Sequence, residues 1–434
     1  MRALRNLVAF VAVISALVAL SVAIRRPDTT PHLSAPAESA GPTPTTSQRR
    51  SRDPAPSIPA NGPPIIDAAN AASGFAHPGV LVSTGQLEFV RDRLRARAQP
   101  WTAAFDQMRG SSYASLDWSP RARAVVDCGY FSNPDNGCGD EWRDAVAAYT
   151  HSLLWYLTGR AQYARKAVEI LNAWSATLQA HTNLNAPIQA GWAATHFARA
   201  AEIMRHTYPD WPPAEADRTA AMFRNVFLPL VGSGGAPGTW GNWDLIILDA
   251  AVGIAVFLDD RPLFAAAVDL WRARVPAYIY LSSDGPYPIG PPGGASGPGA
   301  MASFWFGQRT YVDGLTQETC RDLGHTAWGL EAMSQVAETA WIQGIDLYAE
   351  IQPRLVSALE FHSAFVAGDE VPGWLCGGAL AERFEPLPEI ALSHYRDRRG
   401  VDLPRTRQVV ESGAPQSASN FYAWETLTHA GHPS

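Results

Sequence analysis

WRDAVAAYTHSLLWYLTGRAQYARKAVEILNAWSATL, residues 142–178, has the pattern of two helices joined by a tight turn. In each half the apolar residues recur every three to four positions, which is the spacing of one face of an amphipathic helix. The TGR at 158–160 interrupts this pattern, and glycine commonly follows the last turn of a helix. The stretch therefore predicts a helical hairpin.

The same pattern returns twice along the chain. LIILDAAVGIAVFL (245–258) is followed after DDRP by LFAAAVDLWRARV (263–275), in which AVDLW corresponds to the AVEIL of the first hairpin. A third pair follows in HTAWGLEAMSQVAETAWIQG (325–344) and DLYAEIQPRLVSALEFHSAF (346–365). No run between them has the alternating pattern of a strand. We therefore predict an all-α fold, an incomplete or complete α/α toroid of antiparallel hairpins with long loops rich in glycine and proline.

Composition limits the class of protein. With 434 residues, 47% of them hydrophobic, the chain can build a large core. Its net charge is −7 and its basic residues are scattered, so a nucleic-acid partner is not expected. The 15 tryptophans serve the core in most settings, but in a cleft they offer flat surfaces for sugar rings.

The N-terminus predicts export. Residues 1–26 contain a basic start and an uncharged apolar run at 7–24, which fits either a signal peptide or an N-terminal membrane anchor. Residues 27–63 are rich in Pro, Ser and Thr and are expected to form a disordered linker. The toroid domain is then predicted at 64–434. We expect a monomer that is secreted, periplasmic or tethered outside the cytoplasmic membrane through residues 7–24.

Four cysteines in an exported chain suggest two disulfides. Cys128 and Cys138 enclose GYFSNPDNG, a loop of turn-forming residues, so they are the more favoured pair. Cys320 and Cys376 remain as the second pair, although Cys320 could equally be a buried free thiol.

A polar stripe lies in GLTQETCRDLGHTAWGLEA (314–332). Gln317, Arg321 and His325 are spaced four residues apart, which on a helix places them on one face. Their neighbours are small or aromatic rather than the Lys and Glu of a solvated surface. The stripe predicts either a cleft wall or a buried cluster in which Glu318 and Asp322 pair with Arg321.

Other polar and aromatic residues suggest further walls of the same cleft. Asn242 and Trp243 follow the glycine-rich GSGGAPGTWG (232–241), where Asn242 could equally be a helix cap. Gln189 begins a helical pattern with Trp192 and His196 on its face. The long loop 282–314, rich in Gly and Pro, ends near Trp305 and Tyr311, and loops of this length are usually functional or disordered.

Four segments together resemble the alginate lyase family of polysaccharide lyases. They are TYVDGLTQETCRDLGHTAWGL (310–330), NAPIQAGW (185–192), GNWDL (241–245) and FYAWETLTHAG (421–431). The resemblance spans roughly residues 80–430 and is most specific in QETCRDLGHT. It implies an α/α toroid that cleaves an anionic, uronic-acid-containing polysaccharide by β-elimination.

The implied chemistry assigns roles to these residues. Arg321, Asn242 and Gln317 would neutralise the uronate carboxylate, because the C5 proton is hardly acidic until that charge is offset. His325 and Tyr311 are the candidates for base and acid. The substrate-binding candidates are Gln317, Gln189, Trp192, Trp243, His196 and Trp305, and no metal or cofactor is expected.

The sequence departs from the better-known alginate lyases at two points. They carry an Asn-His pair at a helix start, where this chain has Asn242 and Trp243, and they place a tyrosine near the arginine, where it has His325. The alternatives are a glycoside hydrolase on the same toroid, which needs two carboxylates about 5–10 Å apart, and a non-catalytic cell-surface glycan-binding protein.

Overall fold

The computed structural model describes residues 57–66, 74–234, 240–381 and 383–433. The predicted signal or anchor segment and most of the predicted linker lie outside these ranges. Within them, no helix has the length and apolar character needed to cross a membrane. The helices are α1 Thr84–Arg95, α2 Trp101–Gly110, α3 Cys138–Thr158, α4 Ala161–Thr177, α5 Ala186–Thr207, α6 Pro213–Met222 (continued by a π-helical turn Phe223–Phe227 and by Leu228–Val231), α7 Asn242–Phe257, α8 Arg261–Tyr278, α9 Pro298–Phe304, α10 Leu323–Ile342, α11 Leu347–Val366, α12 Glu389–Leu392 (continued by a π-helical turn Ser393–Arg398), α13 Pro404–Gly413 and α14 Glu425–His429.

The helices form an α/α toroid, as predicted. Helices α3, α5, α7 and α10 pack against one another in succession as an inner layer and are buried along nearly their whole length. Helices α4, α6, α8 and α11 each follow an inner helix and pack on its outer side. The nearly uninterrupted apolar run of α7 explains its place inside, because a helix that is apolar all round has to be covered on every face.

The first predicted hairpin is α3 followed by α4. Its turn depends on Gly159, which adopts φ +66° and whose N–H donates to the carbonyl of Trp155. A side chain at this left-handed position would be strained, so the glycine ends α3 and lets the chain reverse.

A small sheet lies beside the inner layer and was not predicted. Strand β1 (Val125–Cys128) pairs antiparallel with β2 (Asp135–Asn136) and parallel with β3 (Ala180–Thr182). The β1–β2 turn is closed by a Cys128–Cys138 disulfide, and a second disulfide joins Cys320 to Cys376. The favoured Cys128–Cys138 pair is therefore confirmed, and of the two possibilities left open for Cys320 the structure shows the bond to Cys376.

The start of the folded domain differs from the sequence-based boundary. Ile58 packs against the core, and the carbonyl of Pro59 accepts a 2.6 Å hydrogen bond from the buried guanidinium of Arg91 on α1. Arg95 donates in the same way to Ala60. These contacts place residues 57–63 with the domain, so its boundary lies before the predicted residue 64.

This boundary gives a stability prediction. A chain that starts at residue 64 should be about 1–3 kcal/mol less stable than one that starts at residue 57, because it exposes the apolar surface that Ile58 covers and removes the acceptor of the Arg91 Nη2 group. Denaturant unfolding of the two chains measures the difference. Equal free energies of unfolding would show that residues 57–63 add nothing to the fold.

Candidate active site

A cleft of ≈ 900 Å³ opens at the end of the toroid where the four inner helices begin. Its lining includes Gly139 and Trp142 from the start of α3, Gln189 from α5, Trp243 from α7 and His325 from α10. The N-terminus of a helix carries unpaired N–H groups and a partial positive charge. At three of these ends a carboxylate of the chain already accepts from an N–H group, namely Asp135 at α3, Glu318 at α7 and Asp322 at α10.

Aromatic rings form a large part of the cleft wall. Trp192 and Trp328 meet edge to face, with ring centroids 5.9 Å apart. Phe131, at the tip of the disulfide-closed turn, is 74% exposed at the cleft rim. The aromatic lining residues are Tyr130, Phe131, Trp142, Trp192, Trp240, Trp243, Phe304, Phe306 and Trp328. Such a wall suits the flat apolar faces of sugar rings.

Glu318 organises the polar side of the cleft. Its buried carboxylate accepts hydrogen bonds from the backbone N–H of Asn242 at 2.8 Å, from the Asn242 amide at 2.8 and 3.0 Å and from the Tyr278 hydroxyl at 3.1 Å. Burial and the neighbouring Glu318 raise the pKa of Tyr278 well above its usual range, so the phenol remains a donor. Arg321 completes the network with a 2.9 Å bond from Nη1 to Glu318.

Arg321 also faces the cleft. Its side chain is 28% exposed and contributes to the lining, although Nη1 is held by Glu318 and Nε lies 3.9 Å from Asp322. The predicted internal ion pair is therefore present, and it orients the guanidinium rather than removing it from the cleft. The planar fork keeps further N–H groups for a carboxylate ligand.

His325 and Asp322 form a second polar unit beside Arg321. Nδ1 of His325 lies 2.6 Å from Oδ2 of Asp322, and Oδ1 accepts from the His325 backbone N–H, also at 2.6 Å. Burial works against ionisation of Asp322, but its bonds to His325 outweigh this and hold its pKa below the usual value. The carboxylate fixes the imidazole so that Nε2 is the ring nitrogen left to act on a ligand.

The polar stripe is not helical along its length, contrary to the prediction. Asp322 caps α10, which begins at Leu323, and Gln317–Arg321 form turns before it. The cap competes with continuation of the helix because it satisfies the first free N–H groups. Gln317, Arg321 and His325 nevertheless line one cleft.

Gln189, Trp192, Trp243 and Gln317 also line the cleft, as expected. The amide nitrogen of Gln189 donates to Glu141 at 2.7 Å, and that of Gln317 donates to the carbonyl of Phe304 at 2.6 Å. Within the described residues the side-chain oxygens of both glutamines are buried without a partner.

Four predicted site residues lie elsewhere. Asn242 is fully buried behind Glu318 and does not line the cleft. His196 lies about 10 Å further along α5 than Gln189, as seven helical residues require, and contacts the carbonyl of Ser419. Tyr311 and Trp305 pack in a separate apolar cluster, where their rings are 5.5 Å apart and the Tyr311 hydroxyl donates to Gln308.

Several lining residues were missed from the sequence. Tyr130 and Phe131 lie in the turn closed by Cys128–Cys138, and Trp142 and Arg143 follow it on α3, where the Arg143 guanidinium is 4.8 Å from the Trp142 ring. The sequence signal for these residues was the pair of aromatic residues between Cys128 and Cys138. A short disulfide-closed loop has little room to bury them, so their rings are expected to face solvent or a ligand.

Gly241 supports the Glu318 network through its lack of a side chain. It adopts φ +78°, and a Cβ there would lie 2.8 Å from Cδ of Glu318 and 3.0 Å from Oε1 of Gln317. Gly285 has φ +107° with nothing within 4 Å, so it is a matched control for backbone strain.

We expect Gly241→Ala to lower kcat/KM on the cognate polymer by about tenfold or more, because it displaces Glu318 and with it Arg321. Gly285→Ala should cost stability alone. Steady-state kinetics with thermal unfolding of both variants tests this. Equal activities of the two variants would mean that the Glu318 position does not matter for turnover.

Residues 122–289 match the family model described as alginate lyase, which confirms the resemblance seen in the sequence. The match covers α3–α8 and ends before the segment that carries Glu318, Arg321 and His325. No curated protein matches the chain.

Solved structures of alginate lyases share the fold. Alginate lyase A1-III from Sphingomonas species A1 is 18% identical with a TM-score of 0.53, over 78% of this chain and 92% of that one. An A1-III variant complexed with a tetrasaccharide is 18% identical with a TM-score of 0.57, over 82% of this chain and 95% of that one. An alginate lyase from Bacteroides ovatus is 13% identical with a TM-score of 0.55, over 82% of this chain and 100% of that one. At these identities the likeness establishes the toroid.

Proposed function

We propose that this chain, whose residues 122–289 match the alginate lyase family, is a polysaccharide lyase that cleaves a uronic-acid-containing polysaccharide by β-elimination. The observation that carries the proposal is the arrangement of Arg321 beside the His325–Asp322 pair in one aromatic cleft. The solved relatives are alginate lyases, and one of them was complexed with a tetrasaccharide.

Arg321 neutralises the uronate carboxylate in this mechanism. Loss of the C5 proton moves negative charge onto that carboxylate, and a guanidinium aimed at it stabilises the developing enolate. Glu318 fixes Nη1 at 2.9 Å, so the remaining donors are oriented before substrate binds.

His325 removes the C5 proton through Nε2. Asp322 holds Nδ1 at 2.6 Å, which orients the ring and stabilises the imidazolium that forms. The C5–H electrons form the C4=C5 double bond as the bond from C4 to the glycosidic oxygen breaks. The departing oxygen then takes a proton either from this imidazolium or from Tyr130, the tyrosine that lines the cleft in place of the predicted Tyr311.

A glycoside hydrolase is less well supported by the site. Its two carboxylates must be available to the scissile bond. The carboxylates of the lining are Asp135 and Glu318, and Glu318 is only 2% exposed and already accepts bonds from Asn242, Tyr278 and Arg321.

The test is a panel of alginate, glucuronan, hyaluronan and heparin-type polymers, followed by ultraviolet absorbance. β-Elimination creates a conjugated C4=C5 double bond that absorbs, whereas hydrolysis does not. We expect absorbance to rise with one or more uronate polymers and to stay flat with neutral glucans. Reducing ends that appear without absorbance would favour the hydrolase, and retention of polymer without turnover would favour a glycan-binding protein.

We also propose that the protein is exported, is held outside the cytoplasmic membrane when residues 7–24 stay uncleaved, and acts as a monomer. The basic start and the apolar run support the first two points. Cell fractionation, N-terminal sequencing of the mature protein and light scattering test them.

A further inference from the structure

A second cluster of chemically active side chains lies away from the cleft, at the far end of α5. His77, Glu202 and His206 are all buried, and their candidate ligand atoms lie within 4.8 Å of one another. Nδ1 of His77 is 2.6 Å from Oε1 of Glu202, and Nε2 of His206 is 3.7 Å from Oε2. The two imidazole rings are stacked, with centroids 4.2 Å apart.

The charge balance of this cluster is unusual. Glu202 is buried, and within the described residues its ion pairs are with His77 and His206 and not with a lysine or arginine. Its Oε2 is buried without a hydrogen-bond partner in that part of the chain. A buried carboxylate oxygen normally has a donor or a cation beside it, because burial removes the water that would otherwise donate to it.

Asp259 adds the feature that metal-binding histidines usually show. Its Oδ1 lies 3.0 Å from Nε2 of His77, on the side of the ring opposite Glu202. A carboxylate in this position holds the proton on Nε2 and leaves Nδ1 free to bind a metal.

The geometry points to a divalent transition-metal site, of the type that binds Zn²⁺, with His77, Glu202 and His206 as ligands and Asp259 orienting His77. Ligand atoms around a tetrahedral Zn²⁺ at about 2.0–2.1 Å lie about 3.3 Å apart. The two measured pairs, 2.6 and 3.7 Å, bracket this value. The imidazole of His206 is stacked on that of His77 at an angle of 11°, so it has to rotate before both lone pairs face one ion. Two imidazoles and one carboxylate leave a fourth position for water.

The role we assign to this site is structural. His77 belongs to the segment that precedes α1, whereas Glu202 and His206 are one turn apart on α5. A shared metal would join this segment to the inner layer at the end opposite the cleft's N-terminal helix ends. Binding would therefore add its free energy to that of folding.

A proton is the competing occupant. Burial lowers the pKa of His77, but Glu202 and Asp259 outweigh it and hold that pKa above its usual value. An imidazolium between two carboxylates would then replace the metal. The two cases differ in proton release, because a metal at Nδ1 has to displace that proton.

The experiment uses the purified full chain, stripped with a chelator and titrated with Zn²⁺ alone against a chromophoric competitor. We expect one Zn²⁺ per chain, release of protons, and a rise in Tm. Glu202→Gln and His206→Gln should each weaken binding by about 100-fold or more, since even the loss of an orienting partner costs 10- to 100-fold. His181→Gln is the control, because His181 also contacts a buried glutamate, Glu141 at 2.7 Å, but belongs to no group of three candidate ligands in the described chain.

Replacement of Zn²⁺ by Co²⁺ gives a readout that does not depend on the variants' stability. An intense visible spectrum typical of four-coordinate Co²⁺ would support the site in the wild-type chain. A spectrum no different from that of Co²⁺ in buffer would contradict the metal site, and so would equal Zn²⁺ affinity in wild type and Glu202→Gln. The cluster would then hold a proton instead of a metal ion.

Discussion

Arg321→Ala is expected to lower kcat/KM on the cognate uronate polymer by about 100- to 1,000-fold, the loss typical of one oriented donor at a developing negative charge. The Arg321 guanidinium is held by Glu318 at 2.9 Å and still faces the cleft, so it interacts with the carboxylate without reorganising. The fall should appear in kcat as well as KM, because the charge on the carboxylate grows in the transition state.

Two variants separate this effect from a loss of structure. Arg272→Ala also removes an arginine paired with a glutamate, at 2.7 Å from Glu350, but on the outer surface and away from the cleft lining, so its activity should equal wild type. Arg321→Lys keeps the charge and loses the planar fork, and should lie between wild type and Arg321→Ala. Thermal unfolding of each variant checks the fold, and wild-type turnover by a folded Arg321→Ala would remove arginine from the mechanism.

His325→Ala is expected to lower kcat by about 100- to 10,000-fold with little change in KM, the range for loss of a general acid or base. The change should leave α10 intact, because Asp322 caps the helix by accepting from the backbone N–H at position 325. That bond does not involve the imidazole. A loss of activity therefore reports on the ring itself.

Tyrosine variants serve as controls for the proton transfers. Tyr311→Phe should behave as wild type, since its hydroxyl donates to Gln308 within a separate cluster. Tyr130→Phe should lower kcat only if the phenol protonates the leaving oxygen. If His325→Ala kept wild-type kcat while Tyr130→Phe lost it, the tyrosine would be the principal acid and base.

The sequence predicted those features that depend on local pattern. The helical hairpins follow from apolar spacing and from Gly159, and the Cys128–Cys138 bond follows from a short loop of turn formers. Arg321 and His325 could be identified because polar residues among small and aromatic neighbours are unusual on a solvated face.

The remaining features depend on contacts between distant segments. Asn242 and Tyr278 donate hydrogen bonds to Glu318 although they lie 76 and 40 residues before it in the sequence. Helical periodicity describes neighbours on one helix and does not predict such pairs. The helix predicted through Gln317 begins at Leu323 instead, because Asp322 caps it. Tyr311 was assigned to the site for its chemistry, but its ring packs against Tyr280 and Trp305 in a separate apolar cluster.

The most direct test of the proposed reaction is the mass of the oligosaccharides released from the active polymer. Elimination adds no water, so the fragment carrying the new non-reducing end should be lighter by one water than the hydrolytic product and should absorb ultraviolet light. The same fragment should be nearly absent with Arg321→Ala and with His325→Ala. Fragments of full hydrolytic mass, or unsaturated fragments formed at wild-type rate by both variants, would contradict β-elimination in this cleft.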